Sequence, residues 1–500
     1  MAEIKLDPND VNDYRLYLKI KRLPQYRLEG RLAIFPDEYL SALGMGAASA
    51  VDVPYVPSPF LFDYQRDVAA LAIRKRKFAA FIECGYGKTL ILLEFGRHAS
   101  EVLLADRVVL IVSPLMVIDQ TMREAQRFYG DRLPIKAIRP AQLQGWLDNP
   151  GADRVAITNY EAIRDGLRPG RLGALILDES SLLKSHYGAY GQRLIELGKG
   201  VEWKLCLTGT PAPNDRIEYA NHAVFLDQFP TVNSFLASYF VNRGQTSNRW
   251  EIKPHALRPF YRALSHWCIF MSRPETYGWK DNVGTIPPVH VHFHDVPLTE
   301  EQVAAVAKTG KLIIGGTAGG ITSRGKLAQL AKGWQDGEEI PSNKPGTIRD
   351  LVSSWDREES TIIWVRYNRE QDDLERLFPE AASLRGETKE QERRRAIAAF
   401  QAGEVRTIIS KPKVMGFGLN LQIATRHVFN GLWDSAEEYH QAVARSNRVG
   451  STRPLNVHIP TTEIEHAMVD SVFAKIRRME QDTLEQESIF KSESLYGVRP

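Results

Sequence analysis

Cysteine is scarce in this 500-residue chain: Cys84, Cys206 and Cys268 are the only three, and no CxxC pair occurs. An odd, scattered set argues against a disulfide framework or a zinc site and fits a reducing compartment. The opening residues, MAEIKLDPND, lack the apolar core of a signal peptide. Long apolar runs are missing too, since the most apolar stretch, VVLIVSPLMVI, is too short and interrupted to span a bilayer. The expectation is a soluble cytoplasmic protein that is not secreted. A strong charge of either sign is absent, with a net charge of +3 and a pI near 8.5. Any nucleic-acid contact must therefore come from local patches. Repeats of fixed period and low-complexity tracts are absent as well.

What is there is an ordinary soluble composition, 43% hydrophobic and 25% charged, in a chain too long for one core. Apolar, β-branched runs alternate with helical spacing. FAAFI (78–82), VVLIV (108–112), VAIT (155–158), ALIL (174–177) and KLCLT (204–208) read as buried strands. The series restarts with TIIWV (361–365), RTIIS (406–410), HVFN (427–430) and NVHI (456–459). Two α/β lobes, each a parallel sheet covered by helices, follow from that restart. Residues 215 to about 280 carry aromatics at helical spacing, and 299–335 read as helical around the Gly-rich GGTAGG (315–320). PSNKPG (341–346) reads as a turn. The segment DYRLYLKIKRLPQYRLEGRLAIF alternates as short antiparallel strands do, and DVPYVPSPF (52–60) reads as a linker.

Gly85-Tyr86-Gly87-Lys88-Thr89 lies directly between strand FAAFI and helix TLILLEF. In that context a glycine-rich turn curls backbone N–H groups around phosphate oxygens, and the helix N-terminus adds its dipole. Lys88 supplies a full charge at the β/γ-phosphates, and Thr89 would hold Mg²⁺. A GxxxxGK[ST] loop has glycine where this chain has Ile82, so this is the shortened GxGKT form. About ninety residues on, ALIL delivers Asp178-Glu179 to the C-terminal end of a strand, where open α/β sheets bind ligands. Asp178 would hold Mg²⁺ through water, and Glu179 would orient or deprotonate the attacking water. Upstream, Gln65 has the donor–acceptor pair that can read adenine, and Phe62 could stack on the ring. A helix-start glutamine and a core phenylalanine fit the same letters.

These segments resemble, in order, the motifs of superfamily-2 helicases, and more specifically of Snf-type DNA translocases. FDYQRDVAALAI resembles the adenine-reading Q motif and ECGYGKTL motif I. LIVSPLMVIDQTMREAQRF is similar to motif Ia, AITNYEAIR to Ib, LILDESSLLKS to II and LCLTGTPAPN to III. Later, TIIWVRYNREQDDLERLF resembles motif IV, MGFGLNLQIATRHVF motif V and HQAVARSNRVGS motif VI. GLNLQ, the QAxxRxxRxG form of motif VI, and Glu463 with Glu465 are Snf-type features. Three sites depart from the pattern: Ser180 and Ser181 replace Ala and His in motif II, Ser451 replaces Gln, and Trp433-Asp434-Ser435 replaces WNP. The compact size and DESS look most like small Snf-like helicases of phages and prokaryotes.

The resemblance implies two tandem RecA-like lobes with helical insertions and a small N-terminal extension. The expected boundaries are an accessory extension at 1–56 and lobe 1 at 57–285. A linker with a helical protrusion follows at 286–345, then lobe 2 at 346–480 and a tail at 481–500. It implies an ATP hydrolase using ATP and Mg²⁺, with Arg448 as the arginine finger, Arg445 as its partner and Gln441 as an organiser. Three apart, Arg445 and Arg448 would share a face if they lie on one helix. Gly416 and Gly418 would let the motif V backbone approach the nucleotide. DNA, duplex or branched, is the expected partner, held mainly by its phosphates. Candidate contacts are Ser113, Asn159, Thr208, Thr210, Arg385, Lys411 and Lys413. The basic runs 74–77 and 393–395 read as solvated faces or helix-end charge. Three functions stay open: a duplex-DNA translocase, a strand-separating helicase on single-stranded DNA or RNA, and a nucleotide-controlled DNA-binding switch.

Overall fold

A computed structural model describes the chain apart from residues 1, 24–25, 36–38, 41–42, 46–53, 185–187, 245–249, 281, 283, 285, 314–320, 357, 416–418, 433–434 and 493–500. It divides into two units, Met1–Asn282 with Met479–Pro500, and Val283–Arg478. No helix among the described residues is long and apolar enough to cross a membrane.

The first unit opens with a small module. Strand β1 (Ala2–Lys5) and helix α1 (Val11–Ile20) precede β2 (Arg27–Glu29) and β3 (Leu32–Phe35), which form an antiparallel sheet in the order β1-β3-β2. Leu6, Ile20, Ala33, Phe35, Tyr39 and Leu43 give it a core of its own. The expected strand character holds for 27–35 but not for 11–20, which is helical. Asp10 caps that helix by accepting from Asn12 N–H, and Leu16 and Ile20, four apart, both turn toward the module's core.

Helix α2 (Asp63–Lys75) leads into the main sheet. Its strands are β4 (Lys77–Ile82), β5 (Val108–Ser113), β6 (Lys136–Ala137), β7 (Val155–Asn159), β8 (Leu172–Asp178) and β9 (Trp203–Thr208); helix α3 (Lys88–Val102) links β4 to β5. Beyond them β10 (Phe240–Asn242) pairs with β11 (Trp250–Ile252) as a hairpin, and β12 (Cys268–Met271) returns to the edge of the sheet. The order is β12-β4-β9-β8-β5-β7-β6, all parallel. All six residues of β5 and the first six of β8 are buried, as a sheet covered on both faces demands. Residues 219–264 are mainly three short helices packed into the same core, as their aromatic spacing implies.

The second unit holds β13 (Val289–Asp295), a two-strand hairpin of β14 (Trp334–Gln335) and β15 (Glu338–Glu339), then β16 (Ser360–Trp364), β17 (Ala382–Leu384), β18 (Thr407–Ser410), β19 (Ala424–Phe429) and β20 (Leu455–Thr461). Its sheet, ordered β13-β20-β19-β16-β18-β17, is again parallel throughout. Two parallel sheets clad in helices confirm the two-lobe α/β expectation.

Three expectations need correction. Residues 286–345 are not only a connector. Strand β13 belongs to the second sheet, and Lys332 and Lys344 are buried on Glu465, at 3.0 and 2.5 Å. PSNKPG does not stay a turn, because helix Lys344–Ser353 starts inside it with Pro345 in the first helical turn, a position proline tolerates. Nor is the segment after 480 a separate tail. Helix His466–Ser492 runs on without an interrupting Gly or Pro, and its last part is tied into the first unit. Asp482 accepts from Arg216 at 2.6 Å and Tyr261 at 2.7 Å there, and Glu487 accepts from Ser272 Oγ at 2.7 Å.

Candidate active site

Sheet order assembles the site. Strand β9, late in sequence, is inserted between β4 and β8. The C-terminal ends of these three strands therefore lie side by side, carrying the glycine loop, Thr208 and Asp178-Glu179.

The loop's bend is imposed by Gly85 and Gly87, at φ 95° and 68°. Both lie in the left-handed region that only glycine enters freely. Gly87 is fixed a second way: a Cβ there would collide with the Nε2 of Gln65. Gln65, 2% exposed, also accepts from the Phe62 N–H at 3.1 Å, while Tyr64 donates its hydroxyl to the Tyr86 carbonyl at 3.1 Å. Residues 62–65 thus brace the loop, and the Phe62 ring stays 42% exposed. Thr89 follows Lys88 in the first turn of α3.

Lys88 Nζ donates to the carbonyls of Ile82 at 2.8 Å and Glu83 at 3.4 Å. Burial opposes its charge, but Cys84, Glu179, Glu83 and Asp178 outweigh burial and hold the ammonium above its usual range. Asp178 accepts from Ser113 Oγ at 2.9 Å. Burial, then the charge of Glu179, pushes its carboxyl up to about 6, against the opposing pull of Ser113 and Lys88. Such a crowded acidic pair fits a divalent cation, which would relieve both effects.

Glu179 adopts φ 56°, ψ 54°, left-handed for a residue with a Cβ. Such a conformation costs about 1–3 kcal/mol and persists only where the surroundings impose it. Here Thr208 Oγ1 donates to Glu179 Oε1 at 2.6 Å and Ser181 Oγ donates to the same oxygen at 3.1 Å. The Tyr160 hydroxyl donates to the Asp178 carbonyl at 2.7 Å. The turn after β9 comes close to the loop, since a Cβ on Gly209 would stand 3.3 Å from the Ile82 carbonyl. Ser180 meets His222 Nε2 at 3.1 Å, so the two serines of the departing motif II have different partners.

Several residues expected at nucleic acid are inside the first unit instead. Ser113 and Thr208 are fully buried and serve Asp178 and Glu179, and Thr210 is 1% exposed with its N–H on Thr208 Oγ1. The strand ends that carry them are packed against the carboxylates. Asn159 caps the turn after β7 by accepting from Ala162 N–H at 3.1 Å.

In the second unit, helix Ala436–Val443 ends before the arginines, so Arg445 and Arg448 do not share a helix face. Its cap, Ala444, directs its N–H back to the His440 carbonyl, and the chain then turns. Arg445, 5% exposed, lies over the Trp364 ring at 5.4 Å and donates to the Pro412 carbonyl at 2.9 Å. Arg448 is half-buried, and its backbone N–H donates to Ser451 Oγ at 3.2 Å. Gln441 donates to Glu437 at 3.3 Å. Arg385 is paired with Asp372 and Glu375, Lys411 with Asn368, and Lys413, 82% exposed, with Glu438 at 3.3 Å. Gly416 and Gly418 lie outside the described residues. Of the basic runs, the first is tied into the fold, with Lys75 donating to the His266 carbonyl and Lys77 paired with Asp227, while Arg394 of the second pairs with Glu390 on an exposed helix.

Two protein families match this chain: the SNF2-related domain over residues 80–326, and the helicase conserved C-terminal domain over 343–450. The chain belongs to the Snf-type superfamily-2 helicases. It carries both domains of that family's helicase-type core. It is 26% identical over 322 residues to putative protein p41 of Acyrthosiphon pisum secondary endosymbiont phage 1, covering 57% of this chain and 66% of that protein. With the putative ATP-dependent helicase/translocase YwqA of Bacillus subtilis (strain 168) it shares 23% identity over 428 residues, 79% of this chain and 45% of the relative. This Snf-type chain thus spans less than two thirds of either relative. Among solved structures, the Sulfolobus solfataricus SWI2/SNF2 ATPase core in complex with dsDNA aligns at 19% identity and a TM-score of 0.40, covering 89% of this chain and 98% of that one.

Proposed function

We propose that this Snf-type chain hydrolyses ATP at the Lys88–Asp178–Glu179 site and uses the cycle to move along duplex or branched DNA. The observation that carries the reading is the grip on Glu179. Two hydroxyls, one from the neighbouring strand, orient its Oε1 in a left-handed backbone that the chain would not adopt unaided. Glu179 accepts the proton of the attacking water. Lys88 leaves the loop carbonyls for the phosphates, and the loop N–H groups around Gly85–Thr89 line the phosphate oxygens. Mg²⁺, when bound with the nucleotide, neutralises phosphate charge; Thr89 and Asp178 would hold it. Gln65 and Phe62 take the adenine end. Motif resemblance assigns the finger to Arg448, with Gln441 and the glycines of motif V beside the nucleotide. Of the DNA candidates, Asn159, Arg385, Lys411 and Lys413 keep some exposure. The reading is tested by ATP turnover with duplex DNA, single-stranded DNA, branched DNA and RNA. Stimulation by the first or third is expected. Equal turnover with all four and with none would refute DNA coupling.

A further inference from the structure

The N-terminal module matches no helicase motif, yet it presents a distinctive surface. Between Tyr14 and Leu28 the sequence has five cationic residues and no acidic one. Helix α1 sorts them. Ile20 is buried, while Val11, Tyr14, Arg15, Leu18 and Lys19 are exposed on the opposite side. Arg22, one turn beyond Leu18, continues that face. Tyr14 is 58% and Leu18 42% exposed. The Tyr14 ring stacks on Tyr17 with centroids 6.2 Å apart and planes at 22°, and Lys21 Nζ stands 5.5 Å over Tyr17. Three acids near this face have partners of their own: Asp10 and Asp13 accept backbone N–H groups at the helix start, and Glu29 pairs with Arg27.

An exposed ring among cations is what single-stranded nucleic acid binds: bases stack on the aromatic face while cations follow the phosphates. A duplex buries its base faces and would leave Tyr14 without a role. We propose that the exposed face of α1, with Tyr14, Arg15, Leu18, Lys19 and Arg22, grips an unpaired DNA strand. The proposal rests on the DNA-motor reading and names its substrate as branched DNA with a single-stranded arm.

The position of the module supports this separation of tasks. Tyr39 packs edge-on against His266, just before the start of β12, with ring centroids 5.1 Å apart. A cavity of about 510 Å³ between module and sheet is lined by Glu3, Tyr26 and Ile34 on one side and Lys77, the first residue of β4, on the other. The module therefore stands at the end of the parallel sheet opposite the phosphate loop, and changes to its exposed face leave the ATP site intact.

The test compares a blunt duplex with a fork carrying one unpaired arm, using the full chain, Tyr14→Ala and the triple variant Arg15→Gln/Lys19→Gln/Arg22→Gln. Wild type is expected to bind the fork roughly fivefold or more tightly than the duplex. Both variants should lose that preference and keep duplex-stimulated ATP hydrolysis. The triple variant should also flatten the slope of log affinity for the fork against log salt by about 2. A wild type without fork preference, or variants that retain it, overturns the proposal, as does equal weakening on fork and duplex. Absent stimulation of wild type by any DNA would instead sink the DNA-motor reading.

Discussion

Thr208 donates its hydroxyl to Glu179 Oε1 at 2.6 Å, linking the end of β9 to the end of β8. Thr208 is fully buried, so the bond holds a carboxylate in place rather than touching a polymer. Thr208→Val keeps the shape and removes the donor. We expect kcat for ATP to fall about tenfold, of the order of one hydrogen bond to a charged group, with KM nearly unchanged. Ser181→Ala should do less, and the double variant should fall short of the product of the two. An unchanged kcat in Thr208→Val, measured by steady-state phosphate release, would remove the link.

Asp178 gives a pH signature. Its carboxyl is raised from 3.8 to about 6 by burial and by Glu179. In the nucleotide-free protein the folded state therefore holds a proton more tightly than the unfolded chain. The stabilising effect is complete below the unfolded value and is lost as pH rises through about 6. Thermal scans without nucleotide should show Asp178→Asn gaining stability over wild type at pH 7, by at most about 3 kcal/mol, and little or no gain at pH 4. Binding of Mg²⁺ with nucleotide needs the ionised form, so wild-type affinity should weaken as pH falls below about 6.

The two arginines of motif VI separate by burial. Arg445 sits over Trp364 and on the Pro412 carbonyl, whereas Arg448 is half-buried. Arg448→Ala should leave the melting temperature nearly unchanged and lower kcat roughly 10³-fold or more, as loss of a finger does. Arg445→Ala should also lower the melting temperature by several degrees. Reversal of these two patterns would exchange the assigned roles.

Glu465 is fully buried between Lys332 and Lys344, and its carboxyl lies down at about 2, where the two ammonium groups override the cost of burial. Glu465→Gln leaves two buried cations with a neutral partner and should destabilise the second unit by about 3–5 kcal/mol in urea titration. The wild-type contribution is fully present above the ordinary carboxylate range and is lost as pH falls toward 2.

Much of this was legible in the letters. Continuous apolar runs marked nine strands of the two parallel sheets, because a sheet buried on both faces needs them. Local sequence also placed the glycine loop between strand and helix. Strand β13 escaped because VHVHFHD alternates with histidine and sits at a sheet edge, so its pattern is that of a half-exposed strand. Helix α1 was read as a strand because its apolar residues include neighbours that face solvent, Val11, Tyr14 and Leu18. The pairing of Ser113 with Asp178, and of Thr208 with Glu179, depends on sheet order, which spacing does not encode. Motif resemblance assigned those hydroxyls outward, and packing turned them in.

The central claim, that Glu179 drives a DNA-coupled hydrolysis, is tested most directly by ATP turnover of wild type, Lys88→Ala and Glu179→Gln with and without duplex DNA, each variant first shown folded by circular dichroism. Wild type should turn over several-fold faster with DNA, and both variants should fall at least about 10²-fold with no response to DNA. Near-wild-type turnover in Glu179→Gln, or a wild type indifferent to DNA, would contradict it.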